Sequence, residues 1–412
     1  MDNAAKSGRL VLRDVACVAG PELRLVPGAD LVAEDGVLTA IEPTGAGGSG
    51  LVAFPGFLNC HTHIGDAAFA DRAYGLSPRQ LLWPPDGLRY RWMAETSRKD
   101  QVDAMRSAAR QMLATGTVAF ADFREQGRTG TEMLREALDG LPLRGLILGR
   151  AQRYPLHSDE ELQANASGLD AARTADIAST LEVADGFSLV WANDTTDTGL
   201  AQIRALCDQH DARLAVHAGA SARFRDVSRA RTGASDVERV VRHLRPDFVV
   251  HMTDGTPEEF ALLAEAGIPV VMCPRTQAAF GEGIPPLLTA LDSGVSVALG
   301  TDNVMASGPD LLAELNFFSR VLRAVGDDVA RPTATELLAT VTTAAAKALR
   351  LDDTLGQLTP GYEASFFLLD LTTDNLRHSH DPVAALISRA TPADIRAVVV
   401  AGQVVHGSLP PG

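Results

Sequence analysis

The chain has 412 residues, 46% of them hydrophobic, with a formal net charge of -15 and a pI of about 5.1. That is enough to bury a large core and a smaller one, and too apolar for a disordered chain. The acidic balance argues against the basic face that nucleic acid or an anionic membrane selects, so neither is expected as a partner.

The N-terminus, MDNAAKSGRL, has no apolar segment of the secretory kind, and no apolar stretch reaches the ~20 residues that span a bilayer. Cys17, Cys60, Cys207 and Cys273 are scattered, with no CxxC, as expected of free thiols in a reducing, cytoplasmic compartment. Lysine is nearly absent: only Lys6, Lys99 and Lys347 occur.

In chain order, residues 9 to 55 read as short alternating strands (RLVLRDVACV, ADLVAEDGVLTAIEP), with GAGGSG, 45 to 50, as a flexible turn. Eight apolar runs follow: 53–59, 117–123, 144–150, 186–193, 212–218, 246–252, 268–274 and 295–301. Their consecutive apolar residues are the mark of strands buried on both faces. The segments between them carry helix signals. Ser158 and Glu161 form a capping box, and Thr256-Pro257 with Glu259 starts a helix that Gly267 stops. Residues 356 to 412 return to strands and turns (GQLTPGYEASFFLLDL, IRAVVVAGQVVHG).

The pattern predicts an α/β fold: a (β/α)8 TIM barrel over 55–355, beside a small β-sandwich that both termini share, 1–54 and 356–412. The rival is a doubly wound open sheet. Its dinucleotide-binding form needs a GxGxxG after the first strand, which is missing.

Active-site residues of such barrels sit at the C-terminal ends of the strands. The first run ends in His61 and His63, the fifth in His217, the sixth in His251 and the eighth in Asp302. Neutral imidazoles and a carboxylate are ligands for zinc or a similar divalent ion. In HxH the two side chains leave a strand on one face and can reach one ion. A lone strand-end histidine is more often a satisfied polar residue; five residues at the same end of the right strands point to a metal. The other histidines lack that context. His210 and His243 end helical stretches, His157 precedes one, His378 and His380 lie in a polar turn, and His406 lies in the terminal strand.

PGFLNCHTHIG, VHAGA, VVHMT and LGTDN, in this order and spacing, resemble the amidohydrolase superfamily, and its cytosine-deaminase and chlorohydrolase-like branch in particular. The resemblance covers nearly the whole chain. It implies that His61, His63, His217 and Asp302 hold one divalent metal ion, zinc or iron, with His251 a further ligand or the group that orients the water. Binuclear members use a lysine at the end of strand 4; here that position reads Trp191-Ala192-Asn193-Asp194, so one ion is expected. The implied reaction is hydrolysis of a C–N bond, by deamination or by amide or ring opening, in a small polar, cyclic substrate. Asp302 would act as base and His251 would stabilise the oxyanion. For assembly, the resemblance implies a homodimer.

One departure stands out. Many deaminases of this branch carry HxxE after strand 5, and this chain reads His217-Ala218-Gly219-Ala220. Either another residue, such as Glu125, supplies the acid, or Asp302 is the sole base for another activated bond, or the chain is a degenerate metal-binding homologue. As substrate contacts the strand ends offer Asp66, Asp122, Arg124, Arg150, Asn193, Arg275 and Asn303. An arginine there can clamp a carboxylate; a surface ion pair is the alternative. Leu82 to Asp86 and Arg89 to Trp92 form a lid or a loop anchor, and Phe280 to Gly283 border the same mouth.

Overall fold

The computed structural model describes residues 8–45, 48–83, 86–326 and 328–410. Lys6, Ala46 and Gly47 of the expected turn, and Pro84 and Pro85 of the expected lid lie outside the described residues. Four strands open the chain: β1 (Arg9–Ala19), β2 (Arg24–Glu34), β3 (Val37–Pro43) and β4 (Leu51–Pro55). The eight apolar runs then form β5 (Phe57–His63), β6 (Thr117–Arg124), β7 (Arg144–Gly149), β8 (Gly186–Trp191), β9 (Arg213–Ala218), β10 (Phe248–His251), β11 (Val270–Met272) and β12 (Val297–Leu299). A two-residue strand β13 (Asp302–Asn303) follows, then β14 (Phe366–Asp370), β15 (Ile395–Val400) and β16 (Gln403–Gly407).

β5 to β12 pair in sequence order as a parallel sheet, and β13 pairs with β5, opposing Asp302 to Thr62 and Asn303 to His63. β13 follows β12 by only two residues, so its pairing with β5 closes the sheet on itself. Asn59 holds the seam: its amide donates to Thr301 Oγ1 (2.8 Å) and its carbonyl accepts from the Thr301 N–H (3.0 Å). The barrel expected from the apolar runs is thus present, with helices such as Arg98–Ala114 and Leu311–Val325 in the connections. Thr256 and Ser158 cap their helices as their sequences suggest, each with a reciprocal glutamate.

The seam is tight at Gly300. A Cβ there would lie 2.7 Å from the His61 backbone nitrogen and 2.8 Å from its oxygen. Gly300→Ala should force β5 and β12 apart and destabilise the fold by about 1–3 kcal/mol. Thermal melting checks this; an unchanged midpoint would mean that the seam gives way without cost.

The chain ends meet in one seven-stranded sheet, ordered β16-β15-β14-β4-β1-β2-β3. It curls until its ends touch: the Ala364 N–H donates to Gly36 O (2.8 Å), and a Cβ on Gly36 would meet Ala401 O at 2.9 Å. Leu12, Val15, Leu31, Leu38, Phe366, Leu368 and Val399 fill the inside of this curl as a core of their own. The opposite face packs on the barrel, where Phe54 and Phe57 meet Phe367 at ring distances of 5.6 and 4.8 Å. Among the described residues no helix is long and apolar enough to cross a membrane.

Candidate metal centre

His61 and His63 share one face of β5, and β13 brings Asp302 beside them. Asp302 Oδ1 lies 3.2 Å from His61 Nε2 and 3.5 Å from His63 Nε2. His217, from the end of β9, places Nε2 3.4 Å from His61 Nε2. The ligating atoms of His61, His63 and His217 all lie within 4.8 Å of one another. His251 stacks on His217 with ring centroids 4.8 Å apart. The structure therefore brings the five strand-end residues together in one buried cluster.

In two of the rings an outward hydrogen bond orients the inward nitrogen. His217 donates Nδ1–H to Val190 O (2.8 Å), and His63 shares Nδ1–H between Phe123 O (3.1 Å) and Glu125 Oε1 (2.9 Å). That leaves lone pairs on both Nε2 atoms, that of His63 toward Asp302 Oδ1 and that of His217 toward His61 Nε2. His61 Nδ1 and His251 Nδ1 are buried with no hydrogen-bond partner. Burial pushes His63 and His251 down to about 4, against the pull of Glu125 and Asp302 respectively, and holds His61 and His217 well below the usual imidazole range. Neutral imidazoles around a carboxylate, with orphaned nitrogens, fit a cation.

Backbone strain collects here. His251 has φ 85°, Met252 φ 51° and Asp302 φ 59°. Each costs of order 1–3 kcal/mol and persists where a site demands it. An aromatic wall backs the rings: Phe123 lies 4.4 Å from His61, and Trp191 lies 5.0 Å from His217 with Phe224 stacked on it at 4.2 Å.

A cavity of about 250 Å³ opens onto this cluster. His63, His217, His251 and Asp302 line its floor, with Arg150, Asn303, Trp83 and Glu282 among its walls. A depression of about 1080 Å³ elsewhere, lined largely by alanine and glycine, holds none of the imidazoles. Of the expected lid or anchor segment, Trp83 lines the cavity between Arg79 and Arg223, whose guanidinium carbons lie 5.8 and 5.3 Å from its ring. Trp92 is instead an anchor, packed 5.9 Å from Phe69.

Several expected substrate contacts are turned elsewhere. Asp122 accepts from Thr62 Oγ1 (2.8 Å) and the Ile64 N–H (2.6 Å), locking the turn after β5. Arg124 is fully buried and donates to Gly130 O (3.0 Å) and Gln126 Oε1 (2.8 Å). Asn193 bridges Phe224 O and Arg239. Arg275 binds the carbonyls of Gly308 and Asp310 and faces Glu314. None of the four lines the cavity. Asp66 pairs with Arg89 (2.9 Å) and accepts from Asn303 Nδ2 (2.7 Å), behind the floor. Arg150 does reach the cavity; Nη1 binds Glu125 (2.9 Å), while Nε and Nη2 are buried without partners.

Glu125 is not placed as a free acid. It sits 2.6 Å from Arg89 and 2.9 Å from Arg150 and accepts from His63. Burial alone would raise its pKa, but Arg89, His63 and Arg150 outweigh burial and hold it well below the usual carboxylate range. Three residues of this neighbourhood escaped the strand-end reading. Arg89 comes from the helix Leu88–Glu95 in the long connection after β5. Cys273, just past β11, has Sγ within 4.8 Å of ligand atoms of both His61 and Asp302. Glu282 comes from the loop beyond it. A search confined to strand ends could have found only Cys273.

The Amidohydrolase family profile matches residues 52–405. A putative aminohydrolase of Methanothermobacter thermautotrophicus is 31% identical over 402 residues, covering 96% of this chain and 99% of the relative. A 5-methylthioadenosine/S-adenosylhomocysteine deaminase of Teredinibacter turnerae is 28% identical, covering 86% of this chain and 79% of its own. Among solved structures, an adenosine deaminase of Xanthomonas campestris with bound zinc superposes with a TM-score of 0.82 at 22% identity, covering 96% and 92% of the two chains. With a profile match over most of its length and a full-length relative above 30% identity, this chain belongs to the amidohydrolase family.

Proposed function

We propose that the protein is a mononuclear metal-dependent hydrolase that releases ammonia or an amine from a small, planar, nitrogen-containing substrate. The observation that carries this is the convergence of His61, His63, His217 and Asp302, with inward lone pairs and no cationic side chain among them. Those four would hold one divalent ion. Lys99 sits on the exposed helix Arg98–Ala114 and Lys347 is exposed, so among the described residues no lysine is placed to bridge a second ion. The chemistry such an ion supplies is acidification of a water molecule to a pKa of about 7.

The chain's own residues do the rest. Asp302 takes a proton from the attacking water. His251 faces the same space and can hold the developing negative oxygen. Trp191 and Phe224 offer a flat wall to a planar ring, and the small cavity limits its size. Aminohydrolase and deaminase relatives support a C–N bond as the target. Zinc is the ion we expect, as in the zinc-bound deaminase of the same fold. The four buried, unpaired cysteines suit a reducing, cytoplasmic setting.

The test is elemental analysis with an ammonia assay over aminopyrimidines, aminopurines and their nucleosides. The expected result is one divalent ion per chain, ammonia release lost on chelation, and both absent in His61→Ala. Ring opening without ammonia, seen by mass spectrometry, would replace deamination with amide hydrolysis. Metal-free protein of undiminished activity would sink the proposal.

A further inference from the structure

We propose that Glu282 is the proton donor of this site, delivering a proton to the departing nitrogen in place of the glutamate that position 220 lacks. The inference rests on the C–N hydrolase reading above and adds the missing acid to it. Ala220 is buried and has nothing to give. Among the described residues lining the cavity, only Asp302 and Glu282 carry carboxyls. Asp302 is committed to the imidazoles of His61 and His63. Asp66, Asp122 and Glu125 do not line the cavity and are tied to their own partners. Among the described residues, elimination leaves Glu282 as the one carboxyl that lines the cavity and is not part of the cage.

The loop is built to present it. Gly281 (φ 70°) and Gly283 (φ 100°) flank Glu282 in the left-handed region, which glycine enters at little cost. The Glu282 N–H donates to Gln277 O (2.9 Å), and Gln277 in turn donates its amide to Thr253 Oγ1, two residues past His251. The loop after β11 is thereby pinned beside the strand end that carries His251. Among the described residues no cation lies within ion-pair distance of the Glu282 carboxyl, so it is not neutralised in place. Glu282 is exposed at the mouth, and partial burial there, with the charge of Asp302, pushes its pKa up to about 7. A group near the working pH is the efficient proton carrier.

The proton balance is simple. The water oxygen bonds to the carbon that bears the amino group, and the carbon–nitrogen π electrons move to the ring nitrogen. Asp302 takes the first water proton and delivers it there. The bond to the amino nitrogen then breaks with its electron pair on nitrogen. Glu282 gives that nitrogen its proton, and ammonia leaves. Glu282 regains the second water proton as the hydroxyl becomes a carbonyl. One water is consumed, one ammonia is released, and no oxidant or reductant is needed.

The test compares two leaving groups on the same ring, amino and chloro, in wild-type, Glu282→Gln and Glu282→Asp proteins of measured metal content. Chloride departs as an anion and needs no proton. Glu282→Gln should keep its metal and its KM, lose about 10² to 10⁴ in kcat for ammonia release, and lose less than about tenfold for chloride. Glu282→Asp should recover part of the ammonia rate. Equal losses on both leaving groups, loss of metal, or an undiminished ammonia rate would overturn the assignment while leaving the hydrolase reading intact. Metal-loaded wild-type protein that releases neither ammonia nor chloride across the panel would overturn the hydrolase reading, and this inference with it.

Discussion

Asp302→Asn is expected to lower kcat by about 10² to 10⁴ while leaving the protein folded. The carboxylate has two jobs that the amide divides. One oxygen sits 3.2 Å from His61 Nε2 and 3.5 Å from His63 Nε2, and an amide oxygen can occupy that place. An amide cannot take the water proton, so the base is lost. The backbone does not resist the change. Asp302 has φ 59°, and asparagine tolerates the left-handed region as well as aspartate does. The β13–β5 pairing that sets Asp302 opposite Thr62 is made by main-chain atoms and survives. The measurement is steady-state kinetics on a substrate found by ammonia release, with metal content and thermal melting alongside. Turnover near wild type would move the base elsewhere in the cavity, and Glu282 would be the first place to look.

The strand-end cluster was legible because each candidate interrupts an apolar run at its end. In a closed parallel barrel, buried on both faces, such an interruption marks the rim. His61, His63, His217, His251 and Asp302 all announce themselves this way. The rim position does not say what a polar side chain will meet there. Asp122 and Arg124 end β6 as convincingly as His217 ends β9, yet one caps the turn after β5 and the other fills the space beside Gly65. Asn193 and Arg275 likewise find carbonyls and side chains of neighbouring loops. Partners of that kind lie dozens of residues away, and no local pattern encodes them. Arg89 and Glu282 were obscure for the opposite reason. Both lie in the connections between barrel strands, Arg89 on the short helix Leu88–Glu95 and Glu282 in a loop, so their segments could be placed at the mouth but no strand end singled out the residue. The curl of the terminal sheet was hidden too. Alternation in β1 and β2 shows two faces, but the register shifts near Val15 that go with its bending carry no plain sequence sign.

Glu125→Ala should cost stability and metal affinity together, and the reason lies in how many charges depend on one carboxylate. Glu125 is 3% exposed, and Arg89 and Arg150, also buried, sit 2.6 and 2.9 Å from it. Asp66 still neutralises part of Arg89, but Arg150 has no other acid within ion-pair distance among the described residues. Breaking a buried pair by removing one partner costs about 3–5 kcal/mol, because the remaining charge stays desolvated. The same carboxylate fixes His63 by accepting its Nδ1–H, and losing such a partner costs about 10- to 100-fold in metal affinity. The pH dependence has a definite sign. The folded pKa of Glu125 lies well below its unfolded value, so its stabilisation is complete above the unfolded pKa of about 4.5 and is lost as pH falls through the folded value. Wild type should therefore lose this contribution on acidification, and Glu125→Ala, which never had it, should lose less over the same range. Denaturant melts at neutral and acid pH, paired with metal titrations, measure both effects. If the variant matched wild type in midpoint and in metal affinity at neutral pH, Glu125 could not be what holds Arg150 and His63 in place.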